Sequence, residues 1–502
     1  MRLRFIIIAA LAMAGACRSE SIRYVSLQGA HTAPYASWAD AATNLQDALN
    51  VSLPGDTVLV ADGVYAGPEA IIQTPVCLRS VNGPESTILN GGGHRAISIL
   101  TNATVEGFTI TGGSARNGGG VLMSDGLLLG CHVVSNTASL KGGGIHCLYR
   151  GRVENCRISG NCLIGNDGGG GVCCEYGGEI VRCTITFNKA SQRGGGVYCD
   201  RGQPSVRNCV ITDNTARYGG GIMFFTTAGA QYQAGYAESC LIARNTAEMR
   251  GGGGYGNLAG DFYNCTIVDN TASNAGGGVF FMADAWSFGL CANSIIYDNN
   301  APSGMNHYNA GAYFFSCCTV PSASATCLSD APEFLDRLQG DYRLSSHSPC
   351  INAGDAAWAD LAGLDLDGRA RLSDEGLEIG AYEYAVSQPE EIDSDSDGDG
   401  MSDEDELRAG TNPAQADSVF IIQSVETLSA GGMQTASTEE DQKAMVVRWA
   451  SAEGRLYTVW RSTHLLEGFV AIQSRIAATP PENVYLDRLD DRSASFYRIT
   501  VE

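Results

Sequence analysis

Between residues 127 and 300 the chain alternates apolar and polar residues in very short runs. They read LLLGCHVVSN, RVENCRISGN, EIVRCTITFN, SVRNCVITDN, YAESCLIARN and DFYNCTIVDN. Every second residue is apolar, the signature of strands with one buried face. Helical spacing of apolar residues is absent from this stretch. The runs end on Asn136, Asn161, Asn188, Asn214, Asn245 and Asn270, and a further unit ends on Asn299. The steps between these asparagines are 25, 27, 26, 31, 25 and 29 residues. Five residues before the first six stand Cys131, Cys156, Cys183, Cys209, Cys240 and Cys265, with Ser294 in the last place. A variable corner follows the first six asparagines, then three glycines and, in five of the six, a β-branched residue, as in NTARYGGGI from Asn214 to Ile222.

A period in the twenties built of short strands predicts a solenoid. The expected fold is mainly β, a right-handed parallel β-helix in which equivalent residues stack about 4.8 Å apart. Stacked asparagines then share amide hydrogen bonds along a ladder and tolerate a left-handed backbone at the turn. The glycines fill a corner that needs positive φ or leaves no room for Cβ. The cysteines point inward. Rungs about 4.8 Å apart are slightly wide for disulfide Cβ atoms at about 3.8 Å, so a buried, reduced ladder is expected. Cys147, Cys174 and Cys199 form a second ladder, and Cys317, Cys318 and Cys327 are the better disulfide candidates.

The patterning changes at both ends. Ser37 to Asn50 (SWADAATNLQDALN) predicts a helical cap, with Ser37 and Asp40 in a capping box and Ala41, Leu45, Ala48 and Leu49 on one apolar face. Such a helix shields the open edge of a solenoid. From Ser418 to the C-terminus, AMVVRWA, RLYTVWRS, GFVAIQS, NVYLDRL and ASFYRITVE predict a small antiparallel β-sandwich over 418–502.

Charge and composition narrow the function. A net charge of −23 over 502 residues argues against nucleic acid and an anionic membrane surface. The opening MRLRFIIIAALAMAGAC predicts an export signal over residues 1–16. AGAC also resembles a lipobox, which leaves open a lipid on Cys17 in place of a plain signal peptide. The expectation is a secreted or cell-surface protein, in the second case an outer-membrane lipoprotein. A membrane contact is expected only through that lipid.

The acidic run between the two β regions has its own logic. Asp395, Asp397, Asp399, Gly400, Met401, Asp403 and Glu406 fit the spacing of an EF-hand-like calcium loop within a linker at 389–413. Alternate carboxylates converge on one Ca2+, the Met401 carbonyl supplies a further oxygen and Glu406 binds with both of its oxygens. The stretch resembles the thrombospondin type 3-like repeats of exported bacterial proteins, which implies that calcium stiffens a joint between domains.

Three further resemblances cover residues 22–384. YVSLQGAHTAPYASWADAATNLQDAL with GDTVLVADGVY resembles the opening of bacterial pectin-lyase-like β-helix proteins. The repeats are similar to those of polymorphic outer membrane proteins. SPCINAGD with LDLDGRARLSDEGLEIGAYEY resembles the terminal segment of exported bacterial β-helix proteins. These imply the fold but no single activity, because adhesins, lyases and hydrolases share it. The 418–502 strands are similar to fibronectin type III-like modules.

Candidate chemistry sits on the coil face after the glycines. There His146, Cys173, Tyr198, Met223 and Phe280 are expected to point outward, with Glu175 and Asp200 in register on successive coils. Backbones about 4.8 Å apart come near the about 5–5.5 Å carboxyl separation of retaining glycosidases. Glu175, Asp200, His146 and Tyr198 are the catalytic candidates, and Arg201 lies beside them. No HExxH, G-x-S-x-G or phosphate-loop motif occurs. The expected role is a non-catalytic, calcium-binding surface scaffold for an extracellular polysaccharide or cell-surface glycan. The alternative is a polysaccharide lyase or glycoside hydrolase.

Overall fold

The computed structural model describes residues 21–227, 235–258, 260–282, 289–358, 363–372 and 376–384, then 422–428, 444–451, 455–462, 470–480, 482–488 and 496–501. The chain divides into two compact units, up to Tyr384 and from Ala385 onward. The leader, Cys17 and the whole acidic loop from Asp395 to Glu406 lie outside the described residues.

The first unit is a parallel β-solenoid with four long stacks of twelve, eleven, seven and ten strands. One coil runs Ser205–Arg207, Val210–Thr212, Thr215–Tyr218 and Ile222–Phe225, and each strand pairs in parallel with its counterpart one coil on. Its inward residues Val206, Cys209, Ile211, Ile222 and Phe224 are all fully buried. The main core is thus a continuous column built from one face of the strands of three stacks, while the seven-stranded stack buries Ala138, Leu163, Ala190 and Ala216 in a small cluster of its own.

The two polar corners obey the same rule. The left-handed residue is the one before the ladder position, not the ladder asparagine itself. Phe187, Asp213, Arg244, Asp269 and Asp298 have φ of 56°, 59°, 57°, 56° and 53°. The turn is made there, which leaves the asparagine free to aim along the stack. Its Oδ1 then accepts both the main-chain N–H and the side-chain amide of the asparagine one coil back. The Asn188 amide bonds to Asn214 at 2.9 and 3.0 Å, and Asn214 repeats the pattern with Asn245 at 3.0 and 3.0 Å. At the other corner the sulfur does this work. Cys183 N–H donates to Cys209 Sγ at 3.4 Å and Cys209 N–H to Cys240 Sγ at 3.5 Å. Ser294 fits the row because its Oγ accepts from Cys265 N–H at 3.1 Å.

The glycine triplet has three separate reasons, seen at Gly219, Gly220 and Gly221. Gly219 has φ +62°. A Cβ on Gly220 would lie 2.5 Å from the Gly252 carbonyl oxygen of the next coil. A Cβ on Gly221 would lie 2.9 Å from Nδ2 of Asn245, so the third glycine makes room for the next ladder asparagine. In the last coil no further asparagine follows, and Asn306 stands in this third place. Its Oδ1 accepts from Asn299 N–H at 3.0 Å and closes the ladder.

Two expectations change. The cap helix is only α1, Leu45–Val51, with Asn44 as N-cap accepting from Asp47 N–H at 3.0 Å. Ser37 and Asp40 do bond to each other, but in a turn, because Ala42 is drawn into a parallel bridge with Val25. All described cysteines are free thiols, Cys317, Cys318 and Cys327 included. Beyond the last coil, the described residues between 334 and 384 fold back on the outside of the solenoid. Buried Arg371 fastens them, donating to Ser239 Oγ at 2.8 Å and pairing with Glu383 at 2.7 Å.

The second unit contains two three-stranded antiparallel sheets, 422–428 with 444–450 and 482–488, and 470–477 with 456–462 and 496–501. Val447, Trp449, Tyr457, Val459 and Ile499 are buried between them. The strand Ile422–Leu428 is one that the sequence pattern missed.

Candidate functional site

Glu175 and Asp200 end the strands Val172–Glu175 and Val197–Asp200 and are register partners, as the repeat predicts. His146 lies one coil earlier, paired with Cys173, which in turn pairs with Tyr198. The expected outward row is not open to solvent. Cys173, Tyr198, Met223, Tyr255 and Phe280 form an apolar cluster of their own, and His146 is equally buried. They do face away from the core, but the residues before each glycine triplet fold over them. Gly168 lies so close above Tyr198 that a Cβ there would be 2.4 Å from its ring, while Arg193 covers Phe225 and Arg250 covers Phe280, each at 5.0 Å.

The same covering segment brings in a residue that the sequence reading missed. Lys141 places its ammonium 2.7 Å from Glu175, 3.1 Å from Asp200 and 3.6 Å from Asp167. His146 Nε2 is 3.1 Å from Glu175, and Arg201 pairs with Asp200 at 3.0 Å. The signal was available, since Asn117, Lys141, Arg193, Tyr218, Arg250 and Ala275 all directly precede a glycine triplet.

This network fixes the chemistry of its members. The hydrogen bond from His146, followed by that from Lys141, outweighs burial and holds the Glu175 carboxyl down at about 2. Burial alone would lower Lys141, yet its bond to Glu175 and the nearby Asp167 and Asp200 raise it. Burial, then the Asp200 charge, pushes the Tyr198 phenol up. A glycosidase acid needs a raised carboxyl pKa. Glu175 has the reverse, and Tyr198 sits beneath the covering segment. Glu175, Asp200 and His146 are therefore brought together in an ion network with Lys141 at its centre, while Tyr198 lies beside it with its hydroxyl 3.4 Å from Arg193. Among the described residues, no group of three or more His, Cys, Asp or Glu is placed to hold a metal ion.

The open part of the site is its rim. Tyr149, Tyr176 and Arg201 occupy the turns just past the strand ends on three successive coils. Tyr149 and Tyr176 are 54% and 46% exposed, with rings stacked 6.1 Å apart at 22°. The Arg201 guanidinium lies 4.9 Å over the Tyr176 ring. The left-handed φ of Tyr176 (67°) and Arg201 (62°) turns both side chains out of the strand line.

Residues 143–320 match the family model for a right handed beta helix region. The solenoid is a right-handed parallel β-helix. Residues 395–416 match the bacterial TSP3 repeat. No curated protein matches the chain. Among solved structures it is similar to the crystal structure of pectate lyase Pel9A, at 14% identity and a TM-score of 0.48, over 73% of this chain and 97% of that one. A likeness of that degree carries no argument about activity.

Proposed function

We propose that this chain is an exported β-helix scaffold that binds an extracellular polysaccharide or cell-surface glycan without cleaving it. The observation that carries this reading is the exposed ledge of Tyr149, Tyr176 and Arg201. Pyranose rings have apolar C–H faces that pack on aromatic rings, while their hydroxyl edges bond to a guanidinium. Stacked rings at the coil spacing suit a polymer lying along the solenoid axis. The leader-like first residues support export. The TSP3 match supports Ca2+ bound by Asp395, Asp397, Asp399, the Met401 carbonyl, Asp403 and Glu406, as a joint between the β-helix and the sandwich.

The test is retention of the purified protein on a panel of neutral and acidic polysaccharides, with reducing ends and unsaturated products followed in parallel. Binding without product, lost in the Tyr149→Ala/Tyr176→Ala double variant at unchanged thermal stability, is the expected result. Equal retention of the double variant removes the ledge from the reading. The register pairing of Glu175 with Asp200 is what favours the alternative, a lyase or hydrolase. Product formation that disappears in Glu175→Gln or Asp200→Asn would establish that alternative.

A further inference from the structure

The last coil contains adjacent cysteines, Cys317 and Cys318, both fully buried. Neighbouring residues of a strand face opposite sides, and these two do. Cys317 joins the core column of the solenoid, whereas Cys318 joins the outer cluster beneath the folded-back segment. Each meets one more cysteine on its own side. Cys327 packs against the core column, and Cys350 belongs to the outer cluster.

The backbone sets the first pair. Leu328 N–H donates to Cys317 O at 2.8 Å, Thr319 N–H donates to Leu328 O at 2.9 Å, and Cys318 bridges Leu328 in parallel. Cys327 is thereby the neighbour of Cys317 one rung on, at about 4.8 Å between backbones, inside the Cα separation of about 4.4–6.8 Å that disulfides span. Cys318 and Cys350 share the outer cluster, so each side of the terminal coil holds one pair of cysteines.

The ladder cysteines differ. Each is held between two regular coils; its thiol donates to a carbonyl, as Cys209 does to Arg207 O at 3.1 Å, and Cys317 keeps the same contact with Phe315 O at 3.4 Å, so the difference lies in the partner's backbone. Closing the rung spacing there would break the stack. Cys327 and Cys350 instead lie at turns, where the backbone can yield. Cys327 is also partly exposed, and the neighbouring Cys317 thiol, together with Ser324 whose Oγ is 3.2 Å away, holds it down at about 5.

We propose that in an oxidising compartment this end of the β-helix carries two disulfide bonds, Cys317–Cys327 and Cys318–Cys350, while the ladder thiols stay reduced. The oxidant is an external disulfide, oxidised glutathione or an enzymatic disulfide donor. The Cys327 thiolate attacks one of its sulfurs and expels a thiolate, and Cys317, losing its proton, then displaces the second thiolate from the mixed disulfide. Each bond takes two electrons and two protons from the chain and leaves the external disulfide as two thiols. Cys318–Cys350, buried on both sides, closes by the same exchange before the folded-back segment seats. The second bond ties that segment to the terminal coil.

The experiment folds the full chain in a glutathione redox buffer, alkylates it and maps peptides without reduction. Because the oxidant is supplied, its outcome does not depend on whether the chain is exported. Two linkages are expected, with Cys327→Ser deleting only the first and Cys350→Ser only the second. Cys131, Cys156, Cys183, Cys209, Cys240 and Cys265 should be alkylated once the protein is unfolded. Four alkylated thiols in the wild type, a Cys317–Cys350 link or a bonded ladder cysteine would overturn the proposal, and the wild-type map decides this even if a variant fails to fold.

Discussion

Replacing Asn214 by alanine tests the physical basis of the fold most directly. Asn214 is fully buried in mid-ladder. Its Oδ1 accepts from Asn188 N and Nδ2 at 2.9 and 3.0 Å. Its Nδ2 donates to Ile185 O, Thr212 O and Asn245 Oδ1 at 2.9, 3.0 and 3.0 Å. Truncation removes these bonds together and strands the main-chain N–H of Asn188 inside the solenoid. At about 1 kcal/mol per bond, part of it recoverable by water entering the space, the loss is roughly 3–5 kcal/mol. The coils unfold as neighbours and not as one two-state body, so a melting temperature would average the effect away. Hydrogen exchange read by mass spectrometry resolves it. Amides of coils 183–250 should exchange roughly two to three and a half decades faster, since each decade is about 1.4 kcal/mol. Coils near Val58 and Leu78 should be unaffected. An acceleration below about tenfold, or one spread evenly along the solenoid, would refute the reasoning that the ladder carries local stability.

Gly195→Ala would put a Cβ 2.3 Å from the Gly220 carbonyl oxygen, a backbone atom that cannot step aside. It should cost about 3 kcal/mol or more by denaturant titration, whereas Gly67→Ala, with nothing within 4 Å, should be neutral. Lys141→Met leaves Glu175, Asp200 and Asp167 without their shared cation and should cost about 3 kcal/mol. In the wild type the depressed Glu175 pKa adds stability that is complete above its usual 4.5 and is lost as pH falls through about 2. Acid titration followed by circular dichroism should show the Lys141→Met transition at higher pH than the wild type. Calcium calorimetry of the full chain should give binding that Asp395→Ala and Glu406→Ala each abolish, and unchanged affinity in both would remove the metal from that loop.

Most of the solenoid was legible because its determinants repeat. Cys209, Ile211, Asn214 and the glycines at 219–221 each do the same job as their counterparts in the coils between Cys131 and Val279, so the period exposes the job. The corners were legible in place but not in mechanism. The left-handed residue is whatever precedes the ladder position, be it Phe187, Asp213 or Arg244, and no residue type marks it. The helix was overdrawn because Ser37 and Asp40 form the same local bonds in a turn as in a capping box. What decided between those was the pairing of Ala42 with Val25, a contact set by the sheet.

The sequence by itself determined the register, and with it the meeting of Glu175 and Asp200, because stacking at one coil per repeat leaves no freedom in which columns align. Only the tertiary structure decided what surrounds that meeting. The segment before each glycine triplet has no fixed direction in sequence. Folded over the outer face, it buries His146 and Tyr198 and inserts Lys141 between the carboxylates. In the same step it leaves Tyr149, Tyr176 and Arg201 as the exposed surface.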